Sequence, residues 1–173
     1  MMKENILKAA LEVYLDNPNA TVHDVAEKAG VSKSTVFYHF KSKKNLEKEL
    51  LMYALRVYAP WNCETLEEAI KTKLEIIGKD RKIPRLFFYL LDTMNRNDPK
   101  FVEELVERAI EKVSRLLRKE GVCSSRIAML LMAMLDGIAM YTAYGYLKPE
   151  EYVDTAKLMV ELIKMYGEKC LED

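Results

Sequence analysis

The sequence has few of the residues on which most catalytic and metal sites depend. Only two histidines occur, His23 and His39, and both precede residue 40, so the longer part of the chain cannot form a Ser-His-Asp or Cys-His pair. The three cysteines, Cys63, Cys123 and Cys170, lack the spacing of a zinc site. No glycine-rich phosphate loop is present. We therefore expect that the protein is not an enzyme and requires no metal or cofactor.

Neither sign of charge is in excess, since 27 lysines and arginines balance 27 acids. Any attraction to a polyanion must therefore come from local clustering of charge. The odd number of isolated cysteines predicts reduced thiols and a cytoplasmic location. The absence of glutamine, beside abundant Glu and Lys, is consistent with a thermophilic source. The first residues, "MMKENILKAALEVY", are amphipathic and carry acids, so we expect no signal peptide.

Apolar residues recur three and four positions apart along nearly the whole chain, which predicts an all-α fold. Ile6, Ala10 and Tyr14 show this spacing in the first segment, and no run alternates with the two-residue period of a strand. Prolines and glycines fall between the periodic segments. The nine predicted helices span residues 3–16, 22–29, 33–39, 43–59, 64–79, 83–96, 99–120, 124–146 and 149–171.

One segment, residues 127–147, is apolar enough to be mistaken for a membrane span, with 17 apolar residues in 21. Asp136 lies at its centre, where a charge in a bilayer costs roughly 2.5–3.5 kcal/mol on insertion scales. The neighbouring segments are all amphipathic. We therefore expect a helix buried between two helical layers and no association with a membrane.

Residues 21–40, "TVHDVAEKAGVSKSTVFYHF", have the pattern of a helix, a tight turn and a second helix. Thr21 is the predicted N-cap of the first helix. Gly30 can take the positive φ that a sharp turn requires. The second helix has Val36 and Phe40 on its inward side, four residues apart. This is the helix-turn-helix arrangement, in which the second helix enters the major groove of DNA.

Positive charge is concentrated in the same part of the chain. Between Lys28 and Lys48 there are six lysines and one acid, Glu47, so the local net charge is +5 in a neutral protein. Clustering of this kind is typical of proteins that contact phosphates. Any one of these lysines, taken alone, is more simply read as part of a solvated surface, whereas the combination of charge and spacing favours DNA binding.

The stretch "ILKAALEVYLDNPNATVHDVAEKAGVSKSTVFYHFKSKKNL" resembles the N-terminal domain of the TetR family of transcriptional regulators. The resemblance covers residues 6 to about 50. It is carried by Thr21, by the "AGVS" turn at residues 29–32, by "FYHF" at residues 37–40 and by the lysines that follow. The family implies an all-α homodimer that binds palindromic operator DNA, usually as a repressor, and that is released by a small molecule bound in the C-terminal part.

The resemblance also implies which side chains approach DNA. The residues at positions that approach base edges are Lys33, Ser34, Thr35 and Phe37. The residues at positions that usually hold phosphates are Thr21, Tyr38, His39 and Lys43. Two of these depart from the commoner family residues: Phe37 stands in place of tyrosine and loses a phenolic hydrogen bond, and Ser34 replaces glycine and adds a donor. Phe37 can instead make apolar contact with a thymine methyl group.

The part of the chain after residue 60 has no motif that aligns with the family. We predict a DNA-binding domain over residues 1–46 and a ligand-binding and dimerisation domain over residues 47–173, with helix 43–59 as the connector. Aromatic and methionine side chains there suit an adaptable apolar ligand site. The candidate effector residues are Trp61, Phe87, Phe88, Met94, Met132, Asp136, Met140, Tyr141 and Tyr144. Core and dimer interface remain the simpler explanation for most of these residues.

Asp136 is the exception, because a carboxylate among apolar groups is unfavourable without a partner. It can pair with a lysine or arginine, make a polar contact at a dimer seam, or meet a cationic ligand. The effector is therefore expected to be hydrophobic, aromatic or cationic.

The last two predicted helices, 124–146 and 149–171, have apolar residues on more than one side, which predicts a homodimer built on them. In the last helix, Leu158, Leu162 and Met165 form a row separate from the one expected to face the core. The alternative function is a helical ligand-binding or protein-interaction module without specific DNA binding, which would show no salt-dependent affinity for DNA.

Overall fold

The computed structural model describes residues 2–58 and 63–167, and these form nine α-helices and no β-strand. The helices are α1 (Met2–Asp16), α2 (Val22–Lys28), α3 (Lys33–Phe40), α4 (Lys43–Tyr58), α5 (Leu66–Lys79), α6 (Lys82–Asn97), α7 (Pro99–Lys119), α8 (Ser125–Ala143) and α9 (Ala156–Tyr166). The predicted all-α fold is confirmed. The positions of α1 to α7 agree with the sequence-based ranges to within two residues at each end.

The described chain packs as two compact units, of which the first includes residues 2–58 and 85–102. Its core follows from the three- and four-residue spacing of the sequence: Ile6, Ala10 and Tyr14 lie on one side of α1 and are completely buried. Within this unit α1 packs against α2 and α4, and α3 packs against α2 and α4. The helix-turn-helix formed by α2 and α3 therefore packs against α1 and α4.

The second unit includes residues 63–84 and 103–167 of the described chain, and α5 packs there against both α8 and α9. Its core includes Ile70 and Leu74 of α5 with Leu131 and Leu135 of α8, all at most 1 % exposed. The domain boundary expected after residue 46 stays a prediction, because packing units need not coincide with functional ones.

Helix α8 is shorter than expected and is not buried on all sides. It ends at Ala143 because Gly145 takes a φ of +79°, which ends the helix with backbone hydrogen bonds from Gly145 N to Thr142 O and from Tyr146 N to Tyr141 O. Leu131, Leu135 and Ala139 are buried, whereas Met129, Leu130 and Met134 are each more than half exposed. The expectation of burial between two layers is therefore wrong for this chain by itself. By length and composition alone α8 could cross a membrane, but one such helix is only weak evidence of a membrane span.

The expected continuous helix over residues 149–171 is also wrong. Two single turns of 3-10 helix, Pro149–Glu151 and Val153–Thr155, precede α9, which begins at Ala156. Tyr152 lies between the two turns, is buried, and its hydroxyl lies 3.0 Å from that of Thr142, so its packing on α8 interrupts a regular helix. The predicted residues beyond 167 lie outside the described part of the chain.

The cysteines also differ from expectation. Cys123 is disulfide-bonded, so the prediction of reduced thiols is wrong at this position. Cys63 is a reduced thiol, and burial, followed by the neighbouring Glu68 carboxylate, raises its pKa. A raised pKa lowers thiolate content at neutral pH, which argues against a reactive thiol there.

Candidate nucleic-acid interface

Helix α2 begins with a complete capping box. The Thr21 hydroxyl accepts a hydrogen bond from Asp24 N at 3.3 Å, and the Asp24 carboxylate accepts one from Thr21 N at 2.7 Å. The Thr21 hydroxyl also donates to the same carboxylate at 2.9 Å. These bonds, the one from the Thr21 backbone above all, lower the pKa of Asp24. Thr21, predicted both as N-cap and as phosphate contact, is thereby fixed at an exposed position.

The turn between α2 and α3 depends on Gly30, whose φ is +65°. No side chain or backbone atom would clash with a Cβ there, so glycine is required for its backbone conformation and not for space. Val31 N donates to Ala26 O at 2.9 Å and closes the turn. The turn thus sets the angle at which α3 leaves α2.

Three hydroxyl groups meet at the start of α3. Ser32 is the N-cap, and its hydroxyl accepts from Thr35 N at 3.1 Å. The same hydroxyl lies 2.7 Å from that of Ser34 and 2.8 Å from that of Thr35. Two of the side chains predicted to approach base edges are therefore held in one hydrogen-bonded group before any DNA is bound.

The two sides of α3 differ as the sequence predicts. Val36 and Phe40 are almost completely buried, whereas Tyr38 is 72 % exposed and Phe37 is 37 % exposed. Ser34 and Lys33 are also exposed, and Thr35 and His39 are half-buried. The predicted DNA-contacting side chains of α3 thus lie on the sides of the helix that the core does not cover.

The six lysines between Lys28 and Lys48 are not equally available to a phosphate. Carboxylates pair with three of them: Lys28 with Glu12 at 2.8 Å, Lys43 with Glu47 at 3.5 Å and Lys48 with Asp98 at 2.8 Å. Lys44 donates to Asn97 O at 2.8 Å. Glu12 and Asp98 lie outside the segment whose charge was counted, so the sequence overstated the local positive charge.

The two remaining lysines lie over exposed aromatic rings. Lys33 Nζ is 5.9 Å from the centre of the Phe37 ring, and Lys41 Nζ is 5.1 Å from that of Tyr38. Within the described residues neither ammonium group has a carboxylate within ion-pair distance. Lys33 was predicted as a contact, whereas the sequence reasoning did not select Lys41.

A buried carboxylate lies beneath Lys43. Glu47 is 5 % exposed, and it is the one charged residue in the buried core of the described chain. Its Oε1 accepts a hydrogen bond from the Tyr14 hydroxyl at 3.1 Å and lies 3.5 Å from Lys43 Nζ. Burial, followed by the charge of Glu47, raises the pKa of Tyr14 far above its usual value. Sequence reasoning missed this pair, since Tyr14 and Glu47 are 33 residues apart.

The candidate effector residues belong to both compact units. In the first unit Met94 is fully buried, and Phe87 and Phe88 are half-buried. In the second, Met132 is half-buried, and Asp136, Met140, Tyr141 and Tyr144 are exposed. Trp61 lies outside the described residues.

Asp136 has a cationic partner. Its Oδ1 lies 3.0 Å from Lys73 Nζ, and its side chain is 54 % exposed. Of the three roles considered from the sequence, pairing with a lysine is confirmed. A cavity of about 400 Å³ in the second unit contains none of the predicted effector residues in its lining. That lining consists of Gly78, Lys79, Asp80, Arg81, Thr142, Gly145, Leu147, Lys148 and Pro149.

Comparisons with known proteins agree with this geometry. Residues 6–50 match the family model described as bacterial regulatory proteins, tetR family. A transcriptional regulator from Rhodococcus sp. Rha1 is 17 % identical, with a TM-score of 0.76 over 99 % of this chain and 100 % of that one. A TetR-like transcriptional regulator from Rhodococcus sp. RHA1 is 21 % identical, with a TM-score of 0.67 over 96 % of this chain and 97 % of that one.

The TetR family transcriptional regulator PfmR from Thermus thermophilus is 18 % identical, with a TM-score of 0.63 over 90 % of this chain and 97 % of that one. The comparison with curated proteins found no match. At these identities the structural likeness shows the fold, and the family model covers the helix-turn-helix itself. Residues 6–50, which contain the helix-turn-helix, therefore match the tetR family of bacterial regulatory proteins, in a chain that has the fold of TetR-family transcriptional regulators.

Proposed function

We propose that the protein is a ligand-responsive transcriptional repressor that binds palindromic operator DNA as a homodimer in the cytoplasm. The observation that carries the proposal is the division of α3 into a buried side and an exposed side. Val36 and Phe40 anchor the helix in the core, while Lys33, Ser34 and Phe37 are left exposed to meet base edges. Thr21, Tyr38, His39 and Lys43 would hold the flanking phosphates, which fix the register of the helix on the duplex.

The proposed dimer would form through the uncovered apolar sides of α8 and α9. On α9, Leu158, Leu162 and Met165 are 54 %, 43 % and 70 % exposed, and Met129 and Leu130 of α8 are similarly uncovered. Large apolar side chains rarely remain together in water unless they form an interface. A two-fold axis would pair each surface with its own copy. Such a dimer would present two recognition helices to major grooves about 34–36 Å apart, or at a larger phased distance.

The proposed effector is a small hydrophobic, aromatic or cationic molecule. Phe87 and Phe88 are half-buried apolar side chains, and Tyr58 lies 6.4 Å from Phe87, ring centre to ring centre. Because Asp136 is paired with Lys73, a cationic ligand would have to compete with that lysine. Release of DNA requires a ligand that binds the two conformations of the dimer unequally. A tenfold loss of DNA affinity needs about 1.4 kcal/mol of coupling.

A second candidate is a helical ligand-binding or protein-interaction module without specific DNA binding. The ion pairs of Lys28, Lys43 and Lys48 favour it, because each reduces the positive charge available to phosphates. The two functions differ in one measurable property. A regulator binds DNA with an affinity that falls steeply with salt and depends on sequence, whereas the module has neither property.

Selection of bound duplexes from a random DNA pool tests the proposal. We expect enrichment of an inverted repeat, whose two halves would report the spacing of the recognition helices. The enriched site and a scrambled duplex of equal length are then compared by fluorescence anisotropy at several salt concentrations. Failure to enrich any sequence, together with affinity independent of salt, would favour the second candidate.

A further inference from the structure

Lys41 connects α3 to α4 in a backbone conformation that residues with a side chain rarely adopt. Its φ is 66° and its ψ is −35°, and Ser42 N donates a hydrogen bond across it to Phe40 O at 2.8 Å. A hydrogen bond of this span around a residue with positive φ defines the rare, strained form of the γ-turn. Lys41 is the only non-glycine residue with positive φ in the described parts of the chain.

The turn has an evident architectural purpose. It ends α3 at Phe40 and lets Ser42 cap the next helix, since Asn45 N donates to the Ser42 hydroxyl at 3.1 Å. Glycine would serve this purpose better, because it takes positive φ without the strain of a Cβ. A lysine at a position suited to glycine therefore indicates that the lysine side chain has a function. Strained residues of this kind concentrate at functional sites.

The side chain of Lys41 is exposed. Its ammonium group lies over the ring of Tyr38, and that ring is itself 72 % exposed. Lys43, two residues later, instead lies close to the buried Glu47 carboxylate. A ring, unlike a carboxylate, holds an ammonium group without neutralising it. The two neighbouring lysines thus differ in how much charge they can offer to a phosphate.

We propose that Lys41, presented by the γ-turn and held over Tyr38, binds a phosphate of the DNA backbone. It would add one contact per protomer to those that the family resemblance implies, at the end of α3 opposite to Ser34. The inference rests on the proposed DNA-binding function. It identifies a binding residue that the charge count of the sequence could not separate from its neighbours.

The test measures DNA affinity and stability together in three variants. Lys41→Gly removes the charge and relieves the backbone, Lys41→Gln removes the charge only, and Lys41→Arg keeps the charge. Binding to the selected operator and to a scrambled duplex is measured over a range of salt, and thermal midpoints are measured without DNA. Lys112→Ala is the control, because Lys112 is an exposed lysine of α7, outside the first unit, and its loss changes the net charge equally.

We expect Lys41→Gly and Lys41→Gln to weaken binding to both duplexes by about tenfold per protomer at 0.1 M salt. The slope of log K against log salt should fall by about 0.9 for each lost contact. Lys41→Gly should not lower the thermal midpoint, because glycine removes the strain. Lys41→Arg and the control should stay within about twofold of the wild-type affinity, since a phosphate contact depends on charge.

Two outcomes would overturn the inference while leaving the proposed function in place. One is wild-type affinity and slope in both charge-removing variants. The other is an equal loss in Lys41→Arg, which would mean that the backbone and not the charge matters. If the wild-type protein shows no salt-dependent binding to DNA, the proposed function and the inference fail together.

Discussion

The buried pair of Tyr14 and Glu47 predicts an unusual sensitivity of stability to alkaline pH. Tyr14 is completely buried, its hydroxyl donates to the Glu47 carboxylate at 3.1 Å, and its pKa is raised by burial and by that charge. The folded state therefore keeps the phenol proton at a pH where the unfolded chain, with a pKa of about 10, has released it. Because the folded state then binds more protons than the unfolded state, stability must fall as pH rises above about 10.

The size of the effect follows from proton linkage. The contribution of Tyr14 is complete below pH 10, and its loss reaches about 1.4 kcal/mol at pH 11 and about 2 kcal/mol at pH 11.5. Tyr14→Phe removes this dependence together with the hydrogen bond to a buried charge, which costs about 1.5–3 kcal/mol at neutral pH. The stability curves of the wild type and the variant should therefore lie apart at pH 7 and converge above pH 10.

Urea unfolding followed by circular dichroism at pH 7, 9, 10, 11 and 11.5 measures both curves. Lysines titrate in the same range, so the informative quantity is the difference between wild type and Tyr14→Phe. Tyr38→Phe is the control, because it removes the same hydroxyl from an exposed ring. A difference that stays constant from pH 7 to pH 11.5 would refute the reasoning, since it would mean that Tyr14 does not hold its proton beside a buried carboxylate.

Three further predictions concern DNA, the dimer and the effector. Lys43→Ala should weaken binding to operator and scrambled DNA alike and flatten the salt dependence of that binding, whereas Thr35→Ala should change the sequence preference. Anisotropy titrations of each variant with both duplexes measure these effects. Leu162→Glu should convert the proposed dimer into a monomer in sedimentation velocity, and the matched Glu161→Lys, at an exposed position of the same helix, should not. Asp136→Asn should weaken a cationic effector found by thermal-shift screening but leave a neutral one unchanged. If hits stabilise the protein and none alters operator affinity, the regulatory proposal is wrong.

Local features of the sequence determined the fold class and the helix-turn-helix. The Thr21 N-cap, the glycine turn at Gly30 and the buried pair Val36 and Phe40 all lie within twenty residues of one another, and each depends on interactions between near neighbours. Helical periodicity likewise gave the positions of α1 to α7, because burial of one side of a helix repeats along the chain. These features can be read without knowledge of how distant segments meet.

The charge of the interface depended on contacts between distant segments. Lys28 and Lys48 contribute to the positive charge counted in the sequence, and Glu12 and Asp98, from α1 and the α6–α7 corner, pair with them in the fold. A charge count over residues 28–48 cannot include carboxylates that belong to other parts of the sequence. The γ-turn at Lys41 also could not be predicted from the sequence, because a lysine does not indicate a positive φ.

In the last part of the chain, too, local sequence features and contacts between distant segments decided different properties. Apolar periodicity correctly indicated that α8 and α9 exist, and it set apart Leu158 and Leu162, which the fold leaves exposed. It did not predict the break before α9, because that break depends on the burial of Tyr152 against Thr142 of α8. Asp136 likewise found its partner, Lys73, 63 residues away. The sequence by itself thus determined which segments are helical and which sides are apolar, and only tertiary contacts decided where those helices end and which charges are neutralised.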